Sequence, residues 1–184
     1  MMKSLFLQAP SFDGYDGGAG ARYQMKREVK SFWFPTWLAQ AAAMVPGSRL
    51  IDAPPHNLSF KDIEEEVKAH ELIVIHTSTP SFKSDCRTAG MIRAINPTAK
   101  IGFIGAKVAV EPMESMHACP ELDFVCRNEY EFTIQELARG DNFSGIKGLT
   151  WRNASGEIVS NPEREILKDM DQLPSVLPMY KQLK

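Results

Sequence analysis

Side chains able to do chemistry gather in a few short stretches. The first is SFDGYDGG, Ser11 to Gly18, where a serine, two aspartates and a tyrosine stand among glycines directly after the apolar run Ser4 to Pro10. Gly14, Gly17, Gly18 and Gly20 allow the backbone to approach something bulky. Their clustering differs from the G-x-G-x-x-G fingerprint, which sits in a tight turn directly before a helix, so a nicotinamide cofactor is disfavoured. The same spacing also fits a glycine loop that holds no ligand. Phe32, Trp33, Phe34 and Trp37 gather beside Pro35, as a ligand platform or as ordinary core at a helix start. His56 follows Pro54-Pro55 and His76 closes an apolar run; with no second ligand at metal spacing, each reads as a hydrogen-bonded polar residue. Glu129 and Glu131 flank Tyr130 where a helix should begin, a place that suits carboxylates through the macrodipole without any paired-carboxylate catalysis. Cys86, Cys119 and Cys126 stand 33 and 7 positions apart, which fits neither a disulfide framework nor a four-ligand metal site, and they read as buried thiols.

The elements that must position these residues are visible as alternation. KSLFLQA (Lys3 to Ala9), RLIDA (Arg49 to Ala53), LIVIHTS (Leu72 to Ser78), KIGFIGA (Lys100 to Ala106) and LDFVCR (Leu122 to Arg127) have strand length and content. Helical patterns lie between them. Ser59 with Asp62 three residues on forms a capping-box start, and Phe60, Ile63 and Val67 then share one face. Phe82, Cys86, Ala89 and Ile92 form a second stripe that ends before Pro97, and Tyr130, Ile134 and Leu137 a third that stops at Gly140. A further helix begins after Pro35 and breaks at Pro46-Gly47, and PMESMHA (Pro112 to Ala118) carries a weak helical pattern.

Strand runs that are apolar on both faces, alternating with helices, imply an α/β fold: a Rossmann-like or flavodoxin-like five-stranded parallel sheet covered on each side. Right-handed crossovers bring every loop that follows a strand to one sheet edge, outside which ligands bind in such folds. The loops expected there are Pro10 to Phe34, Thr79 to Phe82, Lys107 to Pro112 and Asn128 to Glu131. The first, about 25 residues long, exceeds the usual handful, and loops of that length are functional or disordered. After Gly140 two short strand-like runs surround Asn153-Ala154-Ser155-Gly156, a hairpin signal, and the closing DMDQLPSVLPMYKQLK shows a linker's prolines and no core pattern. Three units follow: residues 1–140, a hairpin extension over 141–165, and a linker over 166–184.

Composition narrows the function classes. A chain of 184 residues, 43% hydrophobic, suffices for one core. A formal net charge of −2 provides no basic stripe for nucleic acid, and no apolar run is long enough to cross a bilayer. MMKSLFLQAP lacks the charged, apolar and small regions of a secretory signal, which points to a cytoplasmic protein.

The ordered set of motifs resembles a known family. Asp13 to Gly18 resembles the Asp-x-His-x-x-Gly loop of cobalamin-binding domains, with Tyr15 where that motif has histidine. Ser78, and Gly105 with Ala106, resemble the serine and the Gly-Gly pair that line the nucleotide tail there. NEYEFT, Asn128 to Thr133, resembles the Gly-Glu-Gly-Glu-x-Thr stretch of cobalamin-dependent radical S-adenosylmethionine enzymes, and GIKGLTWRN and DMDQLP resemble the hairpin and exit that precede their barrel. The finer likeness, through SFDGYDGGAGARYQ, SFWFPTWLAQ and DAPPH, is to the hopanoid-biosynthesis-associated members linked to ring contraction of a cyclitol ether headgroup.

What the resemblance implies is cobalamin held by Ser11, Asp13, Gly14, Tyr15 and Gly18, by Thr77, Ser78 and Thr79, by Gly105, Ala106 and Lys107, and by Asn128, Glu129 and Tyr130. It implies no catalytic side chain and no metal held by the protein itself. Tyr15 cannot imitate imidazole: with a phenol pKa near 10, ionisation at pH 7 costs roughly 4 kcal/mol. The expectation is therefore cobalamin with its base displaced and no protein nitrogen on the lower face. Ala106 and Tyr130 replace glycines and tighten the pocket. The Cys-x-x-x-Cys-x-x-Cys triplet that would hold a 4Fe-4S cluster does not occur, so the resemblance reads the chain as an amino-terminal fragment, inactive alone, whose S-adenosylmethionine and cluster belong to a missing carboxy-terminal domain. The implied partners are that radical barrel in the same parent chain and a hopanoid-linked sugar substrate, with peripheral membrane contact through the lipid; nucleic acid and a transmembrane span are not expected. Two other readings stay open. One is a flavodoxin-like or receiver-type module, although the acidic cluster and the phosphoryl-accepting Asp of a receiver are missing. The other is a cobalamin-free docking domain, for which Tyr15, Ala106 and Tyr130 speak.

Overall fold

A computed structural model describes residues 1–11 and 34–183. Strand β1 (Ser4–Gln8) is buried at all five positions, so neither of its faces meets water and it must lie inside a sheet covered on both sides. Four more parallel strands complete that arrangement: β2 (Arg49–Asp52), β3 (Leu72–His76), β4 (Lys100–Ile104) and β5 (Phe124–Cys126). Each expected parallel strand is present. The hairpin expected as a small extension, β6 (Leu149–Arg152) and β7 (Ile158–Ser160), pairs antiparallel to β5 and enlarges the sheet to seven strands in the order β2-β1-β3-β4-β5-β6-β7.

Because side chains alternate across a strand, the sheet builds two cores. On one face Leu5, Leu7, Ile73, Ile75, Ile101 and Phe103 meet helices α2 (Phe60–Ala69), α3 (Phe82–Ile95) and α5 (Pro112–Ala118). On the other, Phe6, Leu50, Val74, Ile104 and Phe124 meet α1 (Thr36–Ala43) and α6 (Tyr130–Arg139). Helix α2 starts as its sequence says: Ser59 N–H and Oγ both donate to Asp62 Oδ2, at 2.8 and 2.5 Å. Gly102 in β4 makes room for its neighbour, since a Cβ there would stand 2.1 Å from the Phe124 ring.

Two segments differ from expectation. Lys107 to Pro112, expected as a loop, begins with a short helix, α4 (Ala106–Val110), and runs straight into α5, whose first residue Pro112 needs no N–H partner. The supposed linker is not detached. Leu173, Val176, Met179, Tyr180 and Leu183 pack against the α1/α6 core, with a single helical turn α7 (Leu177–Tyr180). Gln182 Oε1 accepts from Leu50 N–H at 2.9 Å, supplying a partner on the outer side of β2, the edge strand of the sheet.

Candidate functional site

Strand order reverses about β1 and β3, and in an open parallel sheet such a switch point opens a crevice at the carboxyl ends. The loops after β3, β4 and β5 meet at that rim, where the described residues that follow β1 also lie. Of the first loop, Ser11 is described and exposed, whereas Asp13, Gly14, Tyr15 and Gly18 lie outside the described residues.

The β3 and β4 loops are locked together. Pairing continues past the strand ends, where Thr77 N–H donates to Ile104 O at 2.9 Å. Gly105 follows at φ +121°, ψ 171°, a conformation open essentially only to glycine, and a Cβ there would lie 2.1 Å from Thr77 O. The glycine thus serves the contact between loops. The result is a ledge of small and hydroxyl-bearing residues: Thr77 fully buried, Ser78 and Gly105 half-buried, Thr79 and Ala106 exposed. Lys107 is committed elsewhere, ion-paired with Glu111 and with Nζ 5.6 Å above the Phe82 ring.

Beneath the ledge the loop is tied from inside. Thr77 Oγ1 donates to Asp85 Oδ2 at 2.6 Å, and Ser81, the N-cap residue of α3, also hydrogen-bonds that carboxyl. Ser81 Oγ accepts from Ser78 N–H at 3.0 Å and lies 2.9 Å from Ser78 Oγ. Burial pushes the Asp85 carboxyl up to about 7, with the two hydroxyl donors pulling the other way.

The α1/α6 side of the rim is aromatic. His76 Nδ1 stands 3.1 Å from Gln8 Oε1, an atom that can only accept, so Nδ1 carries the proton. Burial lowers the His76 pKa to about 4, which keeps the ring neutral at pH 7. The Trp37 ring lies 5.8 Å from it, tilted by 43°. Tyr130 Oη donates to Trp37 O at 3.3 Å, and burial together with neighbouring carboxylates lifts its phenol above the ordinary value. Phe34 stacks on Tyr180 at 4.4 Å. After β5, Asn128 adopts φ +46° and donates through its side-chain amide to Glu163 Oε2 at 3.0 Å, and Glu129 occupies the N-cap position of α6.

The sequence therefore places Thr77, Ser78, Thr79, Gly105 and Ala106 on one ledge and Glu129 and Tyr130 on the adjoining rim, while Lys107 and Asn128 each engage a protein carboxylate. It passed over Asp85. The signal was present, since Asp85 falls three residues after Phe82 on the stripe that continues through Ala89 and Ile92. His56 sits exposed in a single 3-10 turn, Pro54–His56, and among the described residues no three metal-ligating side chains converge. Cys119 and Cys126 are buried and Cys86 half-buried, all as free thiols.

The ledge presents the hydroxyls of Ser78 and Thr79, which both donate and accept, beside the small residues Gly105 and Ala106. Known proteins resemble the chain as follows. No family model matches it. An uncharacterized methyltransferase of Pyrococcus horikoshii is 31% identical over 170 residues, 85% of this chain and 37% of that protein, so the chain spans little more than a third of its curated relative. Among solved structures, the radical S-adenosylmethionine methyltransferase TsrM from Kitasatospora setae, with cobalamin and a 4Fe-4S cluster bound, superposes with a TM-score of 0.65 over 95% of this chain and 31% of its own, at 14% identity. The cobalamin-dependent S-adenosylmethionine radical enzyme OxsB, with aqua-cobalamin and S-adenosylmethionine bound, superposes with a TM-score of 0.57 over 70% of this chain and 19% of its own, at 15% identity. At these identities the likeness establishes the fold, a Rossmann-like α/β domain.

Proposed function

We propose that the chain is the cobalamin-binding domain of a larger cobalamin-dependent radical S-adenosylmethionine enzyme. The observation that carries this reading is the ledge formed where the β3 and β4 loops lie side by side, which brings together Ser78 and the Gly105-Ala106 pair that the resemblance assigns to the nucleotide tail. The similarity to a methyltransferase and the shared fold with OxsB and TsrM support it. Bound cobalamin supplies a cobalt centre able to carry a methyl group or an electron; the chain's own residues bind and orient it. In this proposal Ser11, Asp13, Gly14, Tyr15 and Gly18 complete the site from the first loop. The corrin is bound with its base displaced and without a protein nitrogen on cobalt. The radical barrel, with its cluster and S-adenosylmethionine, lies elsewhere in the parent chain, the substrate is a hopanoid-linked sugar, and the enzyme works in the cytoplasm.

The packing of Trp37, His76 and Tyr130 into the α1/α6 side of the rim favours a second reading, a docking or flavodoxin-like module without cobalamin. One experiment separates the two. The chain is mixed with hydroxocobalamin, desalted and examined by visible spectroscopy, then reduced to Co(II) for electron paramagnetic resonance. A retained corrin band without nitrogen superhyperfine splitting is expected. Loss of the band supports the docking module, and splitting from a coordinated nitrogen contradicts the base-displaced state.

A further inference from the structure

Helix α1 has little of its own to hold its start. It has eight residues, its N-cap Pro35 makes no side-chain hydrogen bond, and a helix that short depends on tertiary contacts. The closing segment supplies them. The Phe34 ring stacks on Tyr180 with centroids 4.4 Å apart and planes 19° from parallel, and Tyr180 Oη donates to Thr36 Oγ1 at 2.9 Å. Gln40 Nε2 donates to Pro174 O at 3.0 Å, and Gln182 fastens the far end of the segment at the start of β2, through Leu50 N–H at 2.9 Å and Ser48 O at 3.2 Å. Trp37 follows directly on the residues that Tyr180 holds, and Tyr130 Oη reaches its carbonyl from the α6 side. Trp37 is 44% exposed, and its ring stands 5.8 Å from that of His76, whose Cδ2 would lie 3.3 Å from a Cβ at Gly105 on the ledge. A line of contacts thus runs from Tyr180 through Phe34 and Thr36 to Trp37, and by way of His76 to the ledge.

We propose that Tyr180 is a positioning residue for the corrin: through the start of α1 it sets Trp37 as the aromatic wall that the macrocycle meets beside the ledge. This rests on the cobalamin reading above and adds to it two residues, Trp37 and Tyr180, that the resemblance leaves out of the site. An exposed indole has much apolar area to cover, and a flat ring beside the ledge covers it. The closing segment is then part of the frame of the site. Gln182, which fastens the same segment to β2 and away from Trp37, serves as the internal control.

The test is equilibrium binding of hydroxocobalamin to the wild-type 184-residue chain, Tyr180→Leu, Phe34→Leu, Gln182→Ala, Trp37→Leu and the Tyr180→Leu/Trp37→Leu double variant, each checked for folding by circular dichroism. Tyr180→Leu should weaken binding about fivefold, the scale of one aromatic contact, and Trp37→Leu at least as much. Phe34→Leu removes the same stack from the α1 side, should match Tyr180→Leu, and takes its place, alone and with Trp37→Leu, should Tyr180→Leu fail to fold. Gln182→Ala should stay within about twofold of wild type, and Tyr180→Leu should add nothing in the Trp37→Leu background. Equal weakening by Gln182→Ala, or full additivity of Tyr180→Leu with Trp37→Leu, would mean that the closing segment only supports the fold, and overturns the proposal. Binding by wild type that Tyr180→Leu or Trp37→Leu retains unchanged overturns the proposal alone. A wild-type chain that binds no corrinoid overturns the cobalamin reading, and the proposal falls with it.

Discussion

Asp85, buried in α3 beneath the end of β3, and His76, half-buried as the last residue of β3, titrate with opposite consequences for stability. The Asp85 carboxyl, raised by burial from 3.8 to about 7, prefers its proton in the folded state. Its contribution is fully present below the ordinary carboxyl value and is lost as pH rises through 7. Burial lowers His76 from 6.5 to about 4, so its contribution is present above 6.5 and is lost as pH falls through 4. Between those limits the two slopes oppose each other, each worth no more than a few kcal/mol. Urea unfolding at pH 4.5 and 7 should separate them. Relative to wild type, Asp85→Asn should gain more stability at pH 7 than at 4.5, and His76→Asn more at 4.5 than at 7. Equal shifts at both pH values for either variant would show that the residue does not titrate differently on folding. His76 was legible as a hydrogen-bonded polar residue because no second ligand stood near it in sequence. Asp85 was passed over although its place on the stripe with Phe82, Ala89 and Ile92 marks it as buried, because its partner Thr77 stands eight residues away, across the loop.

At the scale of elements, legibility followed the strength of the local signal. Helix α2 was readable from its capping box and three-residue apolar face, and the buried strands from their length and content. Helix α4 was not, because five residues, AKVAV, carry too little periodicity to separate a helix from a loop. The closing segment misled for another reason. Its apolar residues Leu173, Val176, Met179 and Leu183 are spaced for one face, but Pro174 and Pro178 break the pattern into single turns, and only the neighbouring α1 and β2 surface gives them something to cover. The join between the β3 and β4 loops yields a direct prediction. Gly105→Ala would place a Cβ against Thr77 O in a backbone conformation closed to alanine, and should lower unfolding free energy by about 2 kcal/mol or more. Chemical denaturation measures it, and a loss under half a kcal/mol would show that the two loops can separate at little cost.

For the whole molecule, fold class was readable from alternation alone: five apolar strands, helices between them, and a hairpin that turned out to extend the sheet by two strands instead of hanging from it. Pairing of β6 to β5 could not be read in advance, because the contacts that accompany it, those of Arg127 among them, join residues more than 20 positions apart. The buried Arg127 side chain donates to Leu149 O, Thr150 Oγ1 and Asn161 O and pairs with Glu163, binding the hairpin to the end of β5. Function was readable only as far as the rim. The carboxyl ends of β3 and β4 present a built ledge, the switch point lies beside it, and Trp37, His76 and Tyr130 close the neighbouring side. Whether that rim takes a corrin, another planar cofactor or no cofactor separates the readings, and calorimetric titration of the chain with hydroxocobalamin beside flavin mononucleotide decides it. The account predicts saturable binding of the corrinoid at one per chain and no heat of binding from the flavin. Flavin binding, or the absence of binding by either, would contradict it.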